Sequence, residues 1–186
     1  MKRFTLTVLG FLLAAVPALA AAQAAPAAAP AVPAGVRGDM LRQLDDAAGK
    51  LVQLAEAIPQ EKYSWSPGTG VRSVSQVLMH VAGGNYYFPN FAGAKGTPPL
   101  PRDAETSVTD RTEVVSHLKK SFDYVRGVIR NMPDAELDKA TTMFGQQTTY
   151  RNVLFTVVSH CHEHLGQMIA YARSNNVTPP WSMAGS

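Results

Sequence analysis

The sequence predicts an all-α protein, a four-helix bundle, on three observations. Four segments repeat apolar residues at the three- and four-residue spacing of an amphipathic helix. No segment has a convincing alternation of apolar and polar residues, which is the pattern of a strand. Two of the helical segments begin with helix-capping residues, and all four stop short of a proline. A bundle of four helices accounts for all three observations.

The N-terminal segment is predicted to be an export signal. Two basic residues precede a short apolar run that gives way to small residues, which is the layout of a secretory signal peptide. Small-x-small patterns predict a mature chain that starts near Ala21 or Ala25. We therefore expect residues 1–24 to be a signal peptide, the mature protein to be periplasmic or secreted, and no stable membrane anchor after cleavage. Residues 25–35, rich in Ala and Pro, are predicted to be a disordered linker.

The basic character of the chain belongs largely to this signal. Residues 1–24 hold two of the 17 basic residues and none of the 14 acidic ones, so their removal lowers the net charge from +3 to +1. The remaining chain has no cluster of Lys and Arg, so we expect no nucleic-acid partner. Its only cysteine, Cys161, cannot form an internal disulfide, and stability must come from packing.

The first two predicted helices are separated by a turn. The first spans about 38–58. The second begins at Ser73, because Ser73 and Gln76 form the Ser-x-x-Gln pattern of a capping box, and it continues to about Phe88. A loop rich in Gly and Pro, residues 93–101, follows it.

The third and fourth predicted helices complete the bundle. The third starts with the cap residue Asp110 and runs to about Met132. The fourth covers about 150–174 and stops at an Asn-Asn pair. We therefore assign residues 36–176 to the bundle and residues 177–186 to a C-terminal tail.

The fourth helix carries a candidate pair of metal ligands. Positions four apart lie within about 40° of each other on a helix, so His160 and His164 share a face, whereas His162 points elsewhere. Two imidazoles in this relation can bind one zinc, iron or nickel ion, but a stable site needs a third ligand. The strongest candidate is His80, which lies in apolar company on the second helix. The three rings converge if the second and fourth helices are neighbours.

Other interpretations of these residues stay open. A histidine at the edge of an apolar stripe is often an ordinary core residue, and exposed His pairs occur by chance. A His-Glu-x-x-His protease is excluded, because Cys161 stands where the glutamate would be. Tyr87 and Tyr171 are candidates to line a pocket, and His162 is a candidate to donate a hydrogen bond to a metal ligand rather than to bind the metal.

Two stretches of the chain resemble the DinB/YfiT-like metalloprotein superfamily. The first, AIPQEKYSWSPGTGVRSVSQVLMHVAGGNYYF, has a proline turn, an aromatic residue, a serine before a helix and a helical histidine, at Pro59, Trp65, Ser73 and His80. The second, HCHEHLGQMIAYAR, has two histidines four apart, then Gly-Gln and Arg, at His160, His164, Gly166, Gln167 and Arg173. The resemblance extends from Val36 to Ser174.

This resemblance implies a four-helix bundle with a divalent metal held by His80, His160 and His164, often in a homodimer. Gln167, which follows the histidine pair, is a candidate to support a metal ligand by a hydrogen bond or to line the pocket. Some relatives transfer low-molecular-weight thiols such as bacillithiol, or use a thiol to isomerise a small acid. Two features depart from the family: Leu165 replaces a basic residue before Gly-Gln, and a signal peptide precedes the domain, although thiol transfer is cytosolic chemistry.

Taken together, the sequence predicts an exported protein that binds a divalent first-row metal, Zn, Ni, Fe or Mn, and acts on a small molecule as a transferase or hydrolase. The alternative is a non-catalytic module that binds a ligand, or packs against another protein, with a structural metal or none. The sequence does not separate the two.

Overall fold

The structure of the protein is a computed structural model that describes residues 32–182. The expected signal peptide, residues 1–24, and most of the expected linker, residues 25–35, lie outside the described residues. Within residues 32–182, no helix is both long enough and apolar enough to span a membrane.

Four long helices form the body of the protein, as the sequence predicts. They are α1 (Gly35–Ala57), α2 (Val74–Tyr87), α4 (Arg111–Asn131) and α5 (Tyr150–Ser174). A one-turn helix, α3 (Ala104–Ser107), precedes α4. The prediction of a four-helix bundle is confirmed.

The first turn of α2 is capped as the sequence predicts. The Ser73 hydroxyl accepts a hydrogen bond from the backbone N–H of Gln76 at 3.4 Å, and the Gln76 side chain accepts one from the backbone N–H of Ser73 at 2.8 Å. This capping box satisfies two backbone donors that the helix itself leaves free. It fixes the start of the helix that carries His80.

The order of the helices around the bundle differs from their order in the chain. Helices α1 and α2 each pack between α4 and α5. Helix α2 therefore lies beside α5, which is the arrangement that a shared histidine site requires. The core between the helices is formed by buried aliphatic and aromatic side chains, the largest of which are Tyr63, Phe122, Met40, Leu41, Leu44, Leu51, Leu54, Ile58, Leu78, Met79, Leu118 and Ile129.

One chain of polar side chains crosses this core. The Cys161 thiol donates to Oδ1 of Asn85 at 3.4 Å, Nδ2 of Asn85 donates to the Ser121 hydroxyl at 3.0 Å, and that hydroxyl donates to the carbonyl of Leu118 at 2.8 Å. Burial raises the pKa of the Cys161 thiol to about 12. Cys161 is thus a protonated core residue that links α5 to α2 and α4.

A β-hairpin between α4 and α5 was not predicted. Strands β1 (Ala140–Met143) and β2 (Gln146–Thr149) pair in antiparallel fashion, with Met143 opposite Gln146. Phe144 and Gly145 form the two-residue turn with φ of 52° and 79°, which is the backbone of a type I′ turn. Such a conformation costs a residue other than glycine about 1 to 2 kcal/mol.

The described part of the C-terminal segment, residues 177–182, packs against the bundle. Residues 177–186 were expected to be a tail, but Val177 and Trp181 pack against the core, and the short helix Pro180–Ser182 contacts α1. Residues 177–182 therefore pack on the bundle, because burial of these apolar side chains is favourable.

Candidate metal centre

Helices α2 and α5 bring three histidines together. His80 lies on α2, and His160 and His164 lie one turn apart on α5. The Nε2 atom of His160 is 3.2 Å from Nε2 of His80 and 3.1 Å from Nε2 of His164. His164 is buried and the other two are partly exposed. The three ring nitrogens therefore converge on one point at the edge of the bundle.

Two of the three imidazoles have their other ring nitrogen bonded to an acceptor. Nδ1 of His80 lies 3.1 Å from Oε2 of Glu105, and Nδ1 of His164 lies 2.8 Å from Oε1 of Gln167. Carboxylate and amide oxygens accept hydrogen bonds, so each Nδ1 carries the proton and donates it. The Nε2 atoms of His80 and His164 are then unprotonated, and their lone pairs point to the same position.

The third imidazole, that of His160, completes a set of three nitrogen atoms that can bind a cation. Nδ1 of His160 is buried and has no hydrogen-bond partner within the described structure. A proton on Nε2 of His160 can be shared with only one of the two facing lone pairs. One divalent ion satisfies all three nitrogens, and neighbouring ligands bound at about 2.1 Å lie about 3.0 to 3.4 Å apart. The observed 3.2 and 3.1 Å fit that arrangement.

The histidines are held in the form that binds metals. Burial, with a smaller contribution from His164 and His80, lowers the pKa of His160 to about 4. Burial also lowers the pKa of His80, although the hydrogen bond to Glu105 acts in the opposite direction. Neutral imidazole is the ligand form, so both residues are ready to bind a metal at neutral pH.

Glu105 is an ionised carboxylate behind His80. Burial alone raises the pKa of Glu105, but hydrogen bonds from Arg72 and His80 outweigh it and lower the pKa below its usual value. The Arg72 guanidinium donates through Nε to Oε1 of Glu105 at 2.7 Å. A carboxylate bonded to Nδ1 orients the ring and makes Nε2 more basic, which strengthens metal binding.

A second chain of hydrogen bonds joins Arg72 to His164. The backbone carbonyl of Arg72 accepts from the Tyr171 hydroxyl at 3.1 Å, and that hydroxyl accepts from Nε2 of Gln167 at 2.9 Å. The amide oxygen of Gln167 accepts from His164, as described above. Arg72 thus orients His80 through its side chain and His164 through its backbone.

The remaining predicted site residues divide into two groups. Gln167 and Tyr171 adjoin the cluster through the bonds just described, and Tyr87 lines a cavity beside it. His162 does not join them, because its Nε2 lies 3.2 Å from the backbone carbonyl of Gln43 on α1. That placement follows from helix geometry, because His162 is two positions from His160 and from His164, and positions two apart differ by 160° around a helix.

Sequence reasoning missed two residues of the site. Glu105 follows a Gly- and Pro-rich loop, on a helix of one turn, and no pattern marks it as a partner of a residue 25 positions earlier. Gly84 lies one turn after His80 on α2, and a Cβ there would lie 2.6 Å from Cε1 of His160. A glycine on the face of α2 that carries His80 was the available signal for this close approach.

Fold and site together define a class: a four-helix bundle whose second and last long helices hold a three-histidine candidate metal centre. Residues 43–168 match the model of the DinB superfamily. The chain belongs to the DinB superfamily.

Several bacterial proteins are similar to it. The chain is 25% identical over 122 residues to the uncharacterized protein YjoA of Bacillus subtilis, across 65% of this chain and 79% of YjoA. The crystal structure of YjoA, a DinB-like protein, matches with a TM-score of 0.61 at 19% identity, covering 75% of this chain and 93% of YjoA.

Two further solved structures have the same fold. A DinB-like protein of Bacillus cereus matches with a TM-score of 0.61 at 17% identity, covering 78% of this chain and 95% of its own. YfiT of Bacillus subtilis, described as a probable metal-dependent hydrolase with an unusual four-helix bundle topology, matches with a TM-score of 0.61 at 17% identity, covering 81% of this chain and 94% of YfiT.

Proposed function

We propose that the protein is a metal-dependent hydrolase that acts on a small molecule. A divalent first-row metal, zinc, nickel, iron or manganese, is bound by the Nε2 atoms of His80, His160 and His164. The observation that carries the proposal is the convergence of three imidazole rings, two of them oriented from behind by acceptors. The description of YfiT as a probable metal-dependent hydrolase supports the reaction class. Transfer to a thiol is the alternative reaction at the same centre.

In such chemistry the protein orients the histidine ligands and leaves the metal centre accessible to a small molecule. A divalent ion on three imidazoles supplies Lewis acidity and lowers the pKa of water that it binds. Glu105 and Gln167 keep the Nε2 lone pairs of His80 and His164 pointed inward. A cavity of 380 Å³ opens beside His80 and His160, so a small molecule can reach the centre.

Metal analysis of the full chain, purified without chelator or histidine tag, tests the binding. We expect about one equivalent of a first-row metal in the wild type and none in His80→Ala or His160→Ala, because two imidazoles do not make a stable site. His162→Ala is the matched control, since it lies on the same helix but faces α1. It should keep its metal.

Three outcomes separate the alternatives. No metal in the folded wild type, even after reconstitution with zinc, nickel, iron and manganese, contradicts the proposal and leaves a helical module without metal. A metal that neither exchanges its water nor supports hydrolysis of any ester, amide or phosphate substrate in a screen indicates a structural ion. Turnover that requires a low-molecular-weight thiol indicates the transferase.

We also propose that the protein is exported and acts in the periplasm or outside the cell. The N-terminal pattern of two basic residues, an apolar run and small residues supports this. Expression of the full chain in a Gram-negative host, followed by fractionation and N-terminal sequencing, tests it. A periplasmic product that starts near Ala21 or Ala25 is expected, whereas a cytoplasmic product with Met1 intact contradicts export.

A further inference from the structure

The cavity beside the histidines is walled on one side by aromatic rings. It lies between α2, the loop that leads into α3 and the hairpin turn, and Tyr87, Phe88 and Phe144 form its apolar wall. The Phe144 ring centroid lies 6.2 Å from that of Tyr87 and 6.1 Å from that of Phe88. The same cavity is lined by His80 and His160. An apolar surface therefore adjoins the candidate metal centre directly.

Phe144 occupies a backbone position that does not suit it. It is the first residue of the type I′ turn, with a φ of 52°, where Asn or Gly is the usual residue. The residue is 62% exposed, so burial in the core does not explain its presence. Residues held in strained conformations cluster at ligand sites. The hairpin is held against the protein by the Thr141 hydroxyl, which donates to the carbonyl of Phe91 at 2.8 Å.

The charged side chains that line the cavity leave a net positive charge once their ion pairs with other side chains of the protein are taken into account. Apart from histidines, its charged lining residues are Arg102 and Glu105. Glu105 is already paired with Arg72 and bonded to His80. Arg102 has no ion-pair partner among residues 32–182. A ligand in this cavity therefore meets one uncompensated guanidinium, which favours an anion.

We propose that the cavity binds small molecules with a flat apolar group and an anionic group, the first against Phe144 and Tyr87 and the second near Arg102. This inference rests on the proposed function only in calling such a molecule the substrate. Phe144 is then a residue that determines specificity, and its ring selects flat groups by stacking or edge contact. Arg102 selects the sign of the charge.

Binding of three probes to the full chain, measured by isothermal titration calorimetry, tests the proposal. The probes are 2-naphthoate, 2-naphthylmethylammonium, which has the same rings and the opposite charge, and acetate, which has the charge without the rings. We expect 2-naphthoate to bind most tightly. Phe144→Asn should weaken it about two- to tenfold, the range of one aromatic contact.

Phe144→Asn also separates binding from folding. Asn suits a left-handed turn position, so this variant should keep or raise the midpoint of thermal unfolding while it loses affinity for 2-naphthoate. Phe155→Gln is the matched control, because Phe155 is exposed on α5 but does not line this cavity. In metal-free protein, Arg102→Gln should abolish the preference for 2-naphthoate over the ammonium probe, whereas Arg173→Gln, at the end of α5, should not.

The outcomes distinguish this inference from the proposed function, because metal content is measured on the same samples. Metal binding without binding of 2-naphthoate overturns the inference and leaves the proposed function standing. Equal affinity for the two naphthyl probes, or equal losses in Phe144→Asn and Phe155→Gln, also overturns it. Binding that depends on Phe144 and Arg102 in a chain that holds no metal supports the inference and contradicts the proposed function.

Discussion

Gly84 provides the space that the His160 ring occupies between α2 and α5. A Cβ at Gly84 would lie 2.6 Å from Cε1 of His160 and 3.2 Å from Cε2 of Phe88. Glycine inside a helix costs about 0.5 to 1 kcal/mol relative to alanine. The position of the His160 ring accounts for a glycine here, since any larger residue would displace the ring.

Replacement of Gly84 by alanine should therefore weaken metal binding without unfolding the protein. The added methyl group displaces His160 from its place opposite His80, and we expect the affinity for zinc to fall about 10- to 100-fold, as when the support of a ligand is lost. Competition with a chromogenic chelator measures this affinity.

Gly83→Ala is the control for this change. This substitution raises the helix propensity by the same amount on the same helix. The added Cβ would contact only Cδ2 of Leu100, at 3.9 Å. Its zinc affinity should match that of the wild type. Equal affinities of the Gly84 and Gly83 variants would show that His160 is free to move and does not depend on this glycine.

The sequence predicts the histidine ligands better than their support. His160 and His164 must share a face because four residues make about one turn of helix, a local property. The partners behind the rings are less predictable. Gln167 is three residues from His164 on the same helix and could be proposed, whereas Glu105 reaches His80 only after the chain has returned along a loop.

At the scale of elements, the start of α2 fixes the position of His80. The capping box of Ser73 and Gln76 ends the preceding turn and begins the helix two turns before the ligand. Ser73→Ala should lower the free energy of unfolding by about 1 kcal/mol, because the backbone N–H of Gln76 loses its acceptor. Urea unfolding of metal-free protein measures this loss.

Ser66→Ala is the control for the cap. Ser66 lies in the exposed turn before α2 and bonds only to the carbonyl of Gly68, at 3.3 Å. Its replacement should change the free energy of unfolding by less than about 0.5 kcal/mol. If both variants lose the same amount, the cap does not stabilise α2.

The sequence predicts the long helices but not the short hairpin. Each long helix has three or more turns of apolar periodicity, which local residues specify. The strands of the hairpin are four residues each, rich in Thr and Gln, and partly exposed, so they have no buried apolar alternation. Their pairing depends on the turn, and its Phe-Gly sequence lacks the Asn that usually marks such turns.

At the scale of the whole molecule, the histidine cluster makes the metal-free protein sensitive to acid. In the unfolded chain a histidine takes up its proton near pH 6.5, but the folded state lowers the pKa of His160 to about 4. Between these values the unfolded state binds more protons, so the free energy of unfolding falls as the pH falls. We expect metal-free wild type to lose stability from pH 6.5 down to about 4.

Replacement of His160 by leucine should make this loss shallower. The slope of the free energy of unfolding against pH is proportional to the number of protons taken up on unfolding. In that interval this number should fall by up to one, because His160 no longer titrates. Urea unfolding at a series of pH values measures the slope. An unchanged slope in His160→Leu would contradict the burial-driven shift in the pKa of His160.

The placement of the three histidines also decides when the proposed metal can bind. His80 and His160 are 80 residues apart in the chain, and they meet only when α5 has packed against α2. The cluster therefore does not exist in an unfolded chain or before the synthesis of α5, which is the last long helix among residues 32–182. Imidazole ligands bind several first-row ions in an order of affinity set largely by the metal, so availability would help decide which ion the proposed centre takes. Under the proposed function, the centre would therefore take its metal in the compartment in which folding finishes, rather than in the one in which translation takes place.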